Sequence, residues 1–197
     1  MILMFMKYDK EKREIVVDRK LNELDKLVLD FIKILEKYVD YVIISGYVSI
    51  LLGRSRATED IDLFIRRISK ERFSQFYTEL KEKGFWCLNA ETDEEVFSYL
   101  EDGLAVRFAL DEKSIPNFEV KFSKREIDEE TFIDFITVIL PQGRLKISSL
   151  ERQIAFKRYY LKSDKDIEDA IHIEECFKDE IDYNKVNKFK NIVERID

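Results

Sequence analysis

Residues 45–62 read Ser45-Gly46-Tyr47-Val48-Ser49-Ile50-Leu51-Leu52-Gly53-Arg54-Ser55-Arg56-Ala57-Thr58-Glu59-Asp60-Ile61-Asp62. A short apolar strand, Tyr41 to Ser45, runs into Gly46. A helix over Tyr47–Leu52 follows and stops at Gly53. A polar loop then enters a second strand, Ile61–Ile65, through Asp60. Side chains two apart on a strand share a face. Asp60 and Asp62 therefore point one way, while Ile61, Leu63 and Ile65 point into a core. Two carboxylates on one face make an oxygen site suited to Mg²⁺. Gly46 lets a phosphate approach the backbone, and the helix after it offers free N–H groups to an anion. Solvated acids are common on surfaces, so Asp-x-Asp alone says little. Its coupling to the glycine turn gives it weight.

Upstream, Met1 to Asp18 alternates weakly, consistent with a hairpin or an edge strand around Lys10–Arg13. A helix is predicted over Arg19–Tyr38, because Leu21, Leu24, Val28, Phe31, Ile32 and Leu35 recur at three and four residues. Downstream, Ser69–Lys83 reads as a helix closed by Gly84. Thr92 with Glu95 forms a capping box for a short helix. Leu104–Leu110 and Phe118–Phe122 alternate as strands joined by a turn containing Pro116, and Phe135–Leu140 and Arg144–Ile147 flank Pro141-Gln142-Gly143 as a second hairpin. Ser148 with Glu151 reads as another capping box, followed by helices over Ser149–Lys162, Asp164–Phe177 and Asp182–Arg195. The order divides the chain into an α/β core over residues 1–147 and a helical part over residues 148–197, an α+β arrangement in which helices flank a mixed sheet.

Of 197 residues, 34 are Lys or Arg and 41 are Asp or Glu, a net charge of −7 that disfavours a general DNA coat or a polybasic membrane binder. The chain is 45% apolar, enough for a real core. The cysteines, Cys87 and Cys176, lack metal-type spacing, and a single histidine, His172, makes a zinc site or a Ser-His-Asp triad hard to build. No stretch is long and apolar enough to span a bilayer, and Met1–Met6 is too short for a signal-peptide core. A cytoplasmic location is expected. The charge is uneven: Gly143 to Lys165 carries seven bases against two acids.

The block from residue 45 to 62 resembles the nucleotidyltransferase superfamily, the fold group of polymerase beta. It is most similar to the abortive-infection toxin-type (AbiEii-like) branch. There a strand ends in a Gly-Gly or Gly-Ser doublet, followed by a short helix and Gly-x-x-Arg-x-Thr-x-Asp-(Ile/Leu)-Asp. Gly46, Gly53, Arg56, Thr58, Asp60 and Asp62 stand in that register. Ser45 departs from it, taking the first place of the doublet, where glycine is usual. The resemblance implies a third carboxylate on a neighbouring strand, for which Glu119 is the candidate, one methylene longer than the commoner Asp. It also implies a helical Lys followed by a Lys-Asp-x-x-Asp helix start, matched by Lys157 and by Lys165, Asp166 and Asp169. The likeness runs from about Tyr41 to Phe177.

By that resemblance the chain is a Mg²⁺-dependent enzyme moving a nucleoside monophosphate from a nucleoside triphosphate to a hydroxyl. The acceptor is a tRNA 3′ end, a protein or a small molecule. A toxin role beside an antitoxin partner is also implied. Asp60, Asp62 and Glu119 would hold Mg²⁺ and carry catalysis. Ser45, Gly46, Arg56, Thr58 and Lys157 would bind the nucleotide, and Lys165, Asp166 and Asp169 would support them. The alternatives are a catalytically inactive binding or regulatory protein of this fold, and a glycosyltransferase, which also uses Asp-x-Asp but ordinarily has a larger domain ahead of it.

Other readings of single residues stay open. Lys157 shares an inward stripe with Leu150, Ile154 and Leu161, so it needs a partner or an anion such as triphosphate, unless its stem reaches the surface. Arg56 and Thr58 either brace the loop or touch substrate. Asp166 and Asp169 either cap their helix or hold Lys157 or Arg158. His172 reads as an ordinary half-buried histidine, and Trp86 and Cys87 as core. Of Tyr159 and Tyr160, one belongs to the core, and the pair could stack on a base.

Overall fold

The computed structural model describes residues 5–195. Met1–Met4, expected to open the hairpin, lie outside the described residues. The hairpin itself is β1 (Phe5–Asp9) against β2 (Glu14–Asp18). Helix α1 (Glu23–Leu35) starts later than its apolar period predicts, because Asn22 caps it: the Asn22 side chain accepts from the Asp25 N–H, and the Asp25 carboxylate accepts from the Asn22 N–H. Then come β3 (Tyr41–Ile44), α2 (Gly46–Leu51), β4 (Asp60–Ile65) and α3 (Lys70–Glu82). Next are β5 (Phe85–Cys87), α4 (Asp93–Asp102), β6 (Val106–Leu110), β7 (Asn117–Phe122) and the single turn α5 (Glu126–Glu129). The predicted capping box of α4 is present, with Thr92 and Glu95 each bonding the other's backbone. The hairpin β8 (Ile136–Leu140) and β9 (Gly143–Ile147) leads into α6 (Leu150–Phe156), α7 (Asp164–Cys176) and α8 (Tyr183–Val193).

The nine strands among the described residues form one mixed sheet in the order β1-β2-β8-β9-β3-β4-β7-β6-β5. The β2–β8, β9–β3 and β4–β7 pairs are parallel, and the rest are antiparallel. One face of the central strands carries Ile61, Leu63, Phe118 and Val120, all fully buried. Phe31 of α1 stacks on Phe118 with centroids 3.8 Å apart, Phe76 of α3 meets Phe108, and Phe97 of α4 meets Phe122. This aromatic layer is the main core. By strand alternation the other face presents Asp62 and Phe64 from β4 and Glu119 and Lys121 from β7. It faces α6 across a cavity.

Three local expectations fail. Trp86 does not seal the core: on the edge strand β5 it alternates outward, 43% exposed, while Phe85 and Cys87 point in. Its indole N–H instead donates to the carbonyls of Leu110 (3.2 Å) and Lys113 (3.0 Å). The Ser148–Glu151 capping box does not form. Ser149 occupies the cap position with its hydroxyl donating to Asp134 (2.9 Å), and Glu151 accepts from the Asp182 N–H (3.2 Å). Leu161 leaves the inward stripe and is 46% exposed, because α6 continues as a π-helical turn over Lys157–Leu161 that widens each step.

Candidate active site

The backbone ladder sets the acidic side of the site. In the parallel β4–β7 pair, Asp62 lies opposite Glu119 and Asp60 opposite Asn117. Asp60, Asp62 and Glu119 thus share one face at neighbouring positions. Asp60 is exposed, and the Thr58 hydroxyl donates to its backbone carbonyl at 3.0 Å and to its carboxylate at 3.3 Å. Thr58 therefore braces the strand entrance. Glu119 pairs with Arg107 of β6 at 3.3 Å. Burial pushes the Asp62 carboxyl up to about 6; Lys121 draws it back, and the negative charges of Asp60 and Glu119 raise it further.

Among the described residues, no three His, Cys, Asp or Glu side chains are gathered tightly enough to cage a metal. Mg²⁺ does not require such a cage. It is ordinarily held by one or two carboxylates, waters and substrate phosphates. Asp60 and Asp62, hard oxygen donors on one face whose like charges oppose each other, fit that chemistry. Glu119 would join them by turning from Arg107.

The β3–α2 turn lies beside this acidic edge, since Ile44 pairs with Asp62 in the β3–β4 ladder. Ser45 sits at φ 62° and ψ −137°, a conformation natural to glycine and strained for serine. Its unusual place in the doublet thus keeps a glycine-like backbone. Gly46 leaves room for Arg56. A β-carbon there would lie 2.4 Å from Nη2 of Arg56, whose guanidinium packs on the turn.

Arg56 belongs to a buried cluster around Asp169, which has no exposed side-chain surface. Asp169 accepts from Arg56 Nε (3.1 Å), Arg56 Nη2 (3.0 Å) and Lys157 Nζ (2.7 Å), and Arg54 Nη1 lies 3.0 Å from it. Arg54 also pairs with Glu168. Lys157, 1% exposed, has Asp166 at 3.7 Å as a second partner. Burial works to raise the Asp169 carboxyl, but the hydrogen bonds and charges of Arg56 and Lys157 outweigh it and hold it below the usual carboxylate range. So Lys157 neither reaches the surface nor stands unpaired. Lys165 is exposed and gives this cluster only its carbonyl, as an acceptor for Arg54 at 3.4 Å. Asp166 also accepts from the Ser163 hydroxyl at the start of α7.

A cavity of about 200 Å³ joins the two charge groups and is lined by Ser45, Asp62, Lys121, Gln153, Lys157 and Tyr160 among others. Tyr160 is partly exposed at this cavity, while Tyr159 packs against the core. His172 is a half-buried structural residue whose Nε2 meets the Leu52 carbonyl at 3.0 Å. Sequence reasoning missed Lys121, Gln153 and Arg54. Lys121 was detectable as the residue two beyond Glu119 on one strand face, and Gln153 as the residue one helical turn before Lys157. Arg54 carried no signal, because its partner is more than a hundred residues away.

No family model and no curated protein sequence matches the chain. Solved structures do. The chain is similar to an antigenic nucleotidyltransferase-like protein from Paracoccidioides brasiliensis, at 19% identity and a TM-score of 0.54 over 88% of each chain. It is similar to the antibiotic-resistance factor ANT(2'')-Ia, at 16% identity and a TM-score of 0.55 over 85% of this chain and 89% of that one. It is also similar to lincomycin-bound LnuA, a lincosamide antibiotic adenylyltransferase, at 13% identity and a TM-score of 0.50 over 80% of this chain and 99% of that one. The fold is therefore that of nucleotidyltransferase-like proteins. No helix among the described residues is long and apolar enough to cross a membrane.

Proposed function

We propose that the protein is a Mg²⁺-dependent nucleotidyltransferase of the abortive-infection toxin-type branch. The observation that carries this reading is the register that sets Glu119 opposite Asp62, with Asp60 on the same face and the Ser45–Gly46 turn beside them. Mg²⁺ held by Asp60 and Asp62, with Glu119 as third ligand, would lower the pKa of the acceptor hydroxyl and offset charge on the phosphates. Ser45 and Gly46 form the turn against which the triphosphate lies. Arg56 and Lys157, both ion-paired to Asp169, would hold the turn and α6 in place beside the triphosphate. The acceptor oxygen bonds to the α-phosphorus, the bond from that phosphorus to the pyrophosphate oxygen breaks, and the hydroxyl proton passes to Asp62 or Glu119.

The cavity carries little free positive charge, because Arg125 is ion-paired to Asp128, Arg152 to Glu130 and Asp134, and Lys157 to Asp166 and Asp169. Its charged lining is Lys121, Arg125, Arg152 and Lys157 against Asp62 and Asp128. In a toxin–antitoxin pair, the antitoxin would act by silencing this transfer.

The test is incubation with each labelled nucleoside triphosphate, Mg²⁺, and separate pools of tRNA, total protein and small hydroxyl compounds. Label in one of these pools with release of pyrophosphate is the expected result. The labelled pool identifies the acceptor. Nucleotide binding without pyrophosphate release would identify an inactive binding or regulatory protein instead.

A further inference from the structure

Ser45 holds a backbone conformation that serine resists, and such a conformation persists only where its surroundings over-determine it. The surrounding group is the side-chain amide of Gln153, 4% exposed on α6. In the orientation that satisfies both ends of this amide, its N–H donates to the Ser45 carbonyl (3.2 Å) and its oxygen accepts from the Ser45 N–H (3.1 Å). The same oxygen accepts from the hydroxyl of Ser148. Ser148 is itself anchored, its N–H donating to the Ile43 carbonyl of β3 at 2.9 Å. One buried amide thus ties the end of β3, the end of β9 and the face of α6 together, in the manner of an extra ladder rung.

We propose that Gln153 is a positioning residue of the phosphate turn. It clamps both backbone groups of Ser45, so that the Ser45 hydroxyl and the Gly46 backbone stay aimed at the place where the triphosphate meets Asp62. This rests on the nucleotidyl-transfer reading. Gln153 acts through Ser45, whose own N–H is consumed by the clamp. The geometry also explains how the chain keeps serine where glycine is usual: the amide supplies the restraint that glycine would make unnecessary.

The test compares Gln153→Met in two backgrounds, the natural chain and Ser45→Gly, reading pyrophosphate release at varied nucleotide. Methionine keeps the volume and removes both hydrogen bonds. In the natural background, the loss in kcat/KM is expected to be on the order of 10²-fold, the scale of a small misplacement of reacting groups. In the Ser45→Gly background, where the turn is unstrained, most of that loss should vanish. Equal losses in both backgrounds would overturn the proposal, because simple packing damage does not depend on the residue at position 45. Gln153→Leu, which also removes both hydrogen bonds and adds no charge, should behave as the methionine variant does and serves if that variant does not fold. Amide hydrogen exchange at Ser45 gives a readout independent of turnover. The Ser45 N–H should be protected in the natural chain and exposed in Gln153→Met; equal exchange in both would also overturn the proposal. If the natural chain releases no pyrophosphate from any nucleotide while Ser45 stays protected by Gln153, the transfer reading fails and the clamp stands.

Discussion

The acidic edge of the sheet and the buried cluster around Asp169 hold charge in opposite ways. At the edge, exposed Asp60 and half-buried Asp62 share one face of a strand with Glu119 beside them, and negative charge exceeds what Arg107 and Lys121 offset. In the cluster, Asp169 is enclosed by Arg54, Arg56 and Lys157, and every cation has a carboxylate partner. Unbalanced charge near solvent is free to bind something. Balanced charge in the interior is held for geometry, since a buried ion left alone is costly. Under the proposed function the edge is the reacting side, and the cluster is the latch that aligns Arg56 over Gly46.

Substitutions should separate the two regions. The largest effect belongs to the edge: Asp60→Asn or Asp62→Asn should cut pyrophosphate release by about 10³-fold or more, the loss of several kcal/mol of charge stabilisation. Melting temperature should hold or rise, because a like-charge repulsion is removed. Next comes the latch. Asp169→Asn leaves Lys157 buried without its nearest partner and should lower stability by about 3–5 kcal/mol, read by urea denaturation. Mg²⁺ should stabilise the natural chain by about 2.7 kcal/mol at a hundred times its Kd, seen as a higher melting temperature that Asp62→Asn abolishes. Gly46→Ala, which drives a β-carbon into the Arg56 guanidinium, should cost about 1–3 kcal/mol and loosen Arg56 from Asp169. The smallest effect is in acid. The Asp169 carboxyl is held below its ordinary value of 3.8, so its contribution is fully present above that pH. It is lost as pH falls through the lowered value. A plot of urea midpoint against pH should show this fall in the natural chain and a shallower one in Asp169→Asn.

Local patterns made much of the fold legible. The alternation through Asp60-Ile61-Asp62, the Thr92–Glu95 box and the two hairpins after Leu104 and Phe135 each depend on residues a few positions apart. Sheet order was not legible, because β3 lies between β9 and β4 through pairings that no short window records. Ser148 and Glu151 matched a cap spacing, but the Ser148 hydroxyl bonds the nearby Gln153 side chain and Glu151 accepts from the distant Asp182 N–H instead. Lys157 was marked by its position on an apolar stripe. Asp166 and Asp169 were both candidates to hold it, and packing brings both to it, Asp169 the nearer. Gln153 is marked as an inward residue by its place one helical turn before Lys157, but its hold on the strained turn depends on Ser45, far away in sequence.

The parallel ladder between β4 and β7 also bears on how the protein comes into being. Asp62 and Glu119 become neighbours only when two strands separated by α3, β5, α4 and β6 zip together. Such long-range pairing closes slowly, after local helices and hairpins have formed. A chain still folding thus has no assembled acidic edge, and the chemistry proposed here begins only once the whole sheet is complete.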